Sequence, residues 1–224
     1  ITTGGYNVFL GFQAGDANTT ASNNVAVGAS ALGANTTGTN NVAIGANAVD
    51  ACTTGNHLVG IGYQALSAVT TGQFSIGIGK DAGLSITTGD ANICIGYHAG
   101  DAVTTADANT FIGYDAGGAV TTGASNTAVG YGALNTSTTG TVNVAIGRGS
   151  LGALTDASYN TGVGYDAGRQ VTTGASNTFL GYQAGDATTT GASNVAVGVN
   201  ALGANTTGAQ NVAIGFDALS ANTT

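Results

Sequence analysis

The stretch Asn41-Val42-Ala43-Ile44-Gly45 decides the fold, because it returns along the whole chain at a constant distance. Close copies are Asn24-Val25-Ala26-Val27-Gly28 and Asn211-Val212-Ala213-Ile214-Gly215. The last residue of the pattern recurs every 17 residues, as Gly11, Gly28, Gly45, Gly62, Gly79, Gly96, Gly113, Gly130, Gly147, Gly164, Gly181, Gly198 and Gly215. A constant period of this kind is typical of repeat proteins. The sequence therefore predicts a single array of about 13 repeats over residues 1–224.

Each repeat, numbered from its Asn so that the invariant glycine is position 5, predicts a short strand. Position 2 is always Val, Ile or Thr, and position 4 is always Val, Ile or Leu. Alternate residues of a strand share a face, so the two positions give one apolar face. A frequently aromatic position 6 and a nearly invariant Ala at position 8 then predict a corner and a second short strand. We expect two strands and two corners per repeat.

A unit this small cannot bury its own faces, so the repeats are expected to stack as a parallel β-solenoid. Coils spaced by about 4.8 Å would make a rod of roughly 60 Å. The invariant glycine predicts either an unusual φ or a close backbone approach. The columns of Asn at position 1 and Thr at position 13 predict ladders of hydrogen bonds along the axis. The coil is thin, so we expect it to associate with further copies.

Two positions of the repeat exchange volume. Where position 3 is Phe, position 9 is Gly, as in Phe9 with Gly15, Phe111 with Gly117, and Phe179 with Gly185. Where position 9 is Leu, position 3 is Ala or Gly. Close-packed interiors require such compensation. The two positions are therefore predicted to meet in one packed layer, either within a chain or across subunits.

Composition restricts the partners. Three basic residues oppose eleven aspartates, giving a net charge of −8, which disfavours nucleic acid as a partner. No apolar run approaches the roughly 18 residues of a membrane span, so no membrane contact is expected of this segment. The chain starts and stops inside a repeat, which we interpret as a window of a longer fibre. Cys52 and Cys94 lie too far apart for a disulfide within one chain and are interpreted as inert small residues.

The residues predict no catalytic group, no cofactor site and no metal site. His57 and His98 have no partners in phase and are interpreted as incidental surface residues. Aspartates at positions 7 and 10 could hold calcium or form a glycosidase pair, but solvated corner residues explain them better. Those aspartates are Asp81, Asp115, Asp166, Asp217, Asp16, Asp50, Asp101 and Asp186.

Two surface features leave alternatives open. The aromatic column at position 6 is either a stacked ladder, which we favour, or a platform for sugars. Formal glycosylation sequons could carry sugars or could simply repeat the chemistry of a corner. The sequons begin at Asn18, Asn35, Asn135 and Asn205.

The repeat resembles the head repeats of the YadA-like trimeric autotransporter adhesins, whose signature is Asn-Ser-Val-Ala-Ile-Gly. Residues 40–45 match it with Asn in place of Ser, and residues 193–198 are close. Residues 126–134 are also similar to repeats of phage tail fibres. The resemblance implies a left-handed parallel β-roll assembled as an intertwined homotrimer outside the cell. The uniform period of 17 is longer than is typical of those heads, and the stretch includes no stalk, neck or membrane anchor.

These observations predict a structural or adhesive fibre segment, not an enzyme, displayed on a cell or virion surface. Its expected partners are two further copies of itself and, for adhesion, glycans or proteins of a host surface or matrix. The alternatives are a spacer in a phage tail fibre or matrix filament and, from another class, a carbohydrate-processing tailspike. A tailspike would need a groove with two acidic residues at hydrolytic separation.

Overall fold

A computed structural model describes residues 3–224 as short strands joined by bends and turns, which confirms the all-β class. The chain divides into two compact units, one reaching Asn109 and the other covering Thr110–Thr224. Each unit is a parallel β-solenoid that adds one coil every 17 residues. The single continuous array and the left-handed winding stay predictions.

Every coil contributes one strand of three residues, at repeat positions 2 to 4. The strands of the first unit are β1 (Val8–Leu10), β2 (Val25–Val27), β3 (Val42–Ile44), β4 (Val59–Ile61), β5 (Ile76–Ile78) and β6 (Ile93–Ile95). Those of the second unit are β7 (Thr110–Ile112), β8 (Thr127–Val129), β9 (Val144–Ile146), β10 (Thr161–Val163), β11 (Thr178–Leu180), β12 (Val195–Val197) and β13 (Val212–Ile214). Within each unit neighbouring strands pair in parallel, position for position, as in Val25 with Val42.

The interior lies behind position 3 of the strands, not behind positions 2 and 4. Ala26, Ala43 and Phe179 are fully buried, whereas positions 2 and 4 of the same strands are only half-buried or exposed. The apolar face that alternation predicts therefore exists, but it points outward. The core instead combines position 3 with the invariant Asn, the Ala of position 8 and the side chains of positions 9 and 12.

The predicted second strand is wrong. Positions 7 and 9 adopt a left-handed backbone, with φ of +55° at Gln13 and +54° at Leu32, and an extended strand cannot form there. The segment still bonds to the next coil, since the Gly15 N–H donates to the Ala31 carbonyl over 3.0 Å. Position 17 is left-handed as well, as at Phe74 with φ of +59°. Three left-handed residues turn the chain where a second strand was expected.

The invariant glycine of position 5 meets both conditions that its conservation within the repeat suggests. Gly28 has φ of +131°, a conformation that other residues avoid. A Cβ added there would also lie 2.6 Å from the Gly45 carbonyl oxygen of the next coil. Both the backbone angle and the contact between coils therefore require glycine.

Both predicted ladders are present in modified form. The Asn24 side-chain oxygen accepts from the Asn41 backbone N–H at 2.9 Å, and its amide donates to the Gly38 carbonyl at 2.9 Å. Asn thus bonds to the backbone of the next coil, with amide-to-amide bonds added in coils such as that of Asn143. The Thr36 hydroxyl donates to the Thr53 carbonyl at 3.0 Å rather than to its hydroxyl. These buried bonds lock each coil to its neighbour.

The exchange of volume between positions 3 and 9 is confirmed, and it takes place within one chain. A Cβ at Gly117 would lie 2.6 Å from the Phe111 ring, and one at Gly15 would lie 2.6 Å from the Phe9 ring. The Phe179 ring reaches further, because a Cβ at Gly168 of the preceding coil would lie 2.6 Å from its Cδ2. One ring therefore fills the space of two coils.

Candidate binding surfaces

The outward strand positions form an apolar strip on each unit. In the first unit, positions 2 and 4 of β1 to β6 are all Val, Ile or Leu. Ile44 is 39% exposed, and most of the other side chains are half-buried against the coils above and below. In the second unit, position 4 is equally aliphatic and position 2 is partly Thr. No charged residue occupies the strip, so water is its only cover in the monomer.

The aromatic column at position 6 is a stacked ladder in the second unit. The Tyr114 and Tyr131 rings lie 5.0 Å apart at 8°, and those of Tyr165 and Tyr182 lie 5.3 Å apart at 12°. Arg148 continues the stack, with its guanidinium carbon 5.6 Å from the Tyr131 ring centre and 5.3 Å from that of Tyr165. Ring faces that cover one another are closed to sugars. The stack therefore favours the ladder interpretation over the sugar platform.

A groove of about 590 Å³ lies beside this ladder in the second unit. One wall is formed by Tyr131, Arg148 and Tyr165 of position 6, and the other includes Arg169. The Arg148 Nη1 donates to the Tyr165 hydroxyl at 2.6 Å, which orients the guanidinium. The Arg169 Nη1 lies 3.8 Å from the Asp166 carboxylate, and its side chain is 62% exposed. The groove therefore combines two cations with phenol edges and one carboxylate.

The corresponding place in the first unit is filled instead by charged side chains. Lys80 lies 5.1 Å from the Tyr97 ring centre and forms an ion pair with Asp81, whose hydrogen bond raises the pKa of Lys80. The His98 Nδ1 lies 2.7 Å from the Asp101 carboxylate, and its Nε2 lies 3.3 Å from that of Asp81. The interpretation of His98 as an incidental surface residue is therefore wrong. Asp101 three residues later and Asp81 one period earlier were the available signals.

The aspartates are less solvated than the sequence predicts. Asp81 and Asp166 are buried, at 5% and 7% exposure. Partial burial raises the pKa of Asp50 and of Asp186 above the ordinary value of 3.8. At these four positions the side chain packs against the next coil, because position 7 or 10 leaves little distance to the neighbouring backbone. Among residues 3–224, no three His, Cys or Asp side chains gather as metal ligands.

The cysteines are buried free thiols, as predicted. Burial raises the pKa of Cys52 to about 11 and that of Cys94 to about 12, so neither is a nucleophile at neutral pH. Three sequon asparagines, Asn18, Asn35 and Asn205, are also buried, which contradicts their use as glycan acceptors in the folded chain. No helix within the described part of the chain has the length and apolar content to span a membrane.

Searches of family models, curated proteins and solved structures found no match to this chain.

Proposed function

We propose that this chain is a segment of an extracellular fibre, assembled from three copies through the apolar strip, that presents or mediates surface attachment. The observation that carries the proposal is the outward-facing strip of β-branched residues. Position 2 and position 4 side chains are the most hydrophobic of each coil, yet the strand directs them away from the core. A protein that kept them in water would gain nothing from this composition.

The strip has the dimensions of an interface. Six strands spaced about 4.8 Å apart, with a width of about 10 Å, give roughly 300 Å² on the first unit alone. Contiguous apolar patches of this size on monomers mark interaction sites. The strip is uncharged and in register along its strands, so a second copy in the same orientation meets it without electrostatic penalty. The number of copies, three, comes from the resemblance to YadA-like heads.

The backbone supports the role of a fibre. Each strand bonds to the strand 17 residues before and after it, so that neither side of the coil presents an unpaired strand edge to solvent. Length grows by adding coils and not by enlarging a core. Such a segment can hold many equal surfaces at regular intervals, which favours attachment by several weak contacts at once.

The test is the mass of the chain in solution, measured by sedimentation equilibrium at micromolar concentration. Three copies of 21.4 kDa give about 64 kDa, and this mass is the expected result for the unchanged chain. The Ile61→Asp variant places a charge in the strip and should dissociate the assembly. Thr71→Asp is the matched control, because Thr71 is exposed at position 14, outside the strip. A folded, unchanged chain that sediments as a monomer would refute the assembly.

A further inference from the structure

We propose that the groove of the second unit binds an acidic saccharide through its carboxylate, with Arg148 and Arg169 as the anion-binding residues. The inference supplies a ligand class for the attachment role proposed above and rests on it. Its first support is where the repeat departs from its own pattern. Position 7 carries a polar side chain in every coil except two consecutive ones, those of Gly132 and Gly149. Both glycines line the groove.

Other departures fall in the same place. Position 11 is Ala in ten of the thirteen coils, and two of its three exceptions, Thr136 and Gln170, line this groove. The only arginines of the chain, Arg148 and Arg169, line it as well. In a repeat whose columns are otherwise uniform, stability alone gives no reason for these changes to gather on three consecutive coils. A binding site gives one reason for all of them.

The glycines create the space. A Cβ added at Gly132 would approach only the Asn135 side chain, at 3.7 Å, so the volume above it is open. Gly152 removes the side chain of position 10 in the middle coil, between Asn135 and Arg169. The resulting 590 Å³ lies in the range of small-molecule sites and can hold one or two sugar rings. In the first unit, Asp81 and His98 occupy position 7, beside Lys80.

The charges select an anion of limited size. Both guanidinium groups belong to a chain of net charge −8, so they are an isolated positive region. Stacking between two tyrosines and the bond to Tyr165 hold Arg148 in place, and a guanidinium has five N–H donors, of which this bond uses one. Planar guanidinium groups match carboxylates in two-point contacts. The buried Asp166 and the surrounding negative charge oppose a long polyanion such as nucleic acid.

The remaining lining is suited to sugar hydroxyls. The Tyr131 and Tyr165 rings present their edges and phenol groups, because their faces are occupied within the ladder. Asn135 and Gln170 add amides, and Asp166 adds an acceptor. A ligand that offers one carboxylate and several hydroxyls satisfies both parts of the groove. An acidic sugar such as a uronic acid has this composition.

The experiment is isothermal titration calorimetry of the full 224-residue chain with digalacturonate, with its carboxyl-reduced neutral counterpart and with a sulfated digalactose. We expect saturable binding of digalacturonate, at least about tenfold tighter than either of the other two, since charged hydrogen bonds contribute more than neutral ones. Equal binding of the neutral sugar, tighter binding of the sulfated sugar, or no saturation at about 10 mM digalacturonate would overturn the inference.

Three variants use residues found in the same columns elsewhere in the chain. Arg148→Tyr, Arg169→Ser and Gly132→Asn should each weaken digalacturonate binding by about tenfold, the first two by removing a charged partner and the third by filling the space. Lys80→Tyr, the matched change in the first unit, should leave affinity unchanged. Sedimentation of the same samples separates the two proposals: an assembled trimer that does not bind refutes only the groove, and a binding monomer refutes only the assembly.

Discussion

The exchange between positions 3 and 9 allows a quantitative test on Phe111 and Gly117. Phe111 is fully buried, and its replacement by Ala should lower the free energy of unfolding by about 3–5 kcal/mol through the cavity it leaves. Gly117→Leu alone places a Cβ 2.6 Å from the Phe111 ring and adds further carbons, so it should cost about 1–3 kcal/mol by overpacking. If the sites were independent, the double variant would lose about 4–8 kcal/mol.

The structure predicts the opposite. The next coil already carries Ala128 at position 3 and Leu134 at position 9, both fully buried, with Leu134 at φ of +54° close to the +62° of Gly117. The double variant reproduces this arrangement and should lose only about 1–2 kcal/mol, a coupling on the order of 3 kcal/mol. Some loss should remain, because a ring such as that of Phe179 reaches a second coil, which Leu cannot.

The assay is guanidinium unfolding followed by circular dichroism, at one chain concentration because assembly also contributes to stability. The matched control pairs Phe111→Ala with Leu202→Ala, five coils away at about 4.8 Å per coil, where the losses should add. An additive result for Phe111 and Gly117 would refute the idea that their side chains share one space.

Two further predictions concern the backbone and the thiols. Gly28→Ala should destabilise the chain by several kcal/mol, whereas Gly215→Ala, with a similar φ of +125° but no atom within 4 Å of the added Cβ, should cost about 1–2 kcal/mol; comparing their denaturation midpoints isolates the contact between coils, and equal losses would contradict it. Cys52 and Cys94 keep their protons in the fold up to pH of about 11 and 12, while unfolded thiols ionise near the ordinary 9.0, so the free energy of unfolding should fall as pH rises from about 9 to 11, and Cys52→Ala/Cys94→Ala should remove that part of the slope in pH-dependent denaturation. Rapid labelling of either thiol by iodoacetamide in the native chain at pH 8 would contradict their burial.

Period and local composition were enough to predict the solenoid, the strand positions, the glycine of position 5 and the pairing of Phe with Gly. These features repeat in every coil, so thirteen copies reinforce one signal. The direction of the strand was not predictable in the same way. Both faces of a three-residue strand carry apolar side chains, and the small Ala26 faces inward only because the space behind it is narrow.

The second strand failed for a different reason. Val49, a β-branched residue, has φ of +51°, a conformation that its own propensity opposes. Hydrogen bonds to the next coil impose it, and no local pattern reveals them. The groove was missed because it consists of exceptions to the repeat, such as Gly149 and Arg169, which a search for regularity discards. Only the coil geometry shows that these exceptions are neighbours.

The left-handed residues at positions 7, 9 and 17 have a consequence for how the molecule forms. Each costs about 1–2 kcal/mol when it is not glycine, so a lone coil begins several kcal/mol above the disordered chain. Only the surface of a coil that is already ordered can return that energy. Order must therefore spread from a seed, in the manner of a crystal adding layers, and the rare event is the birth of the first few coils rather than the growth that follows.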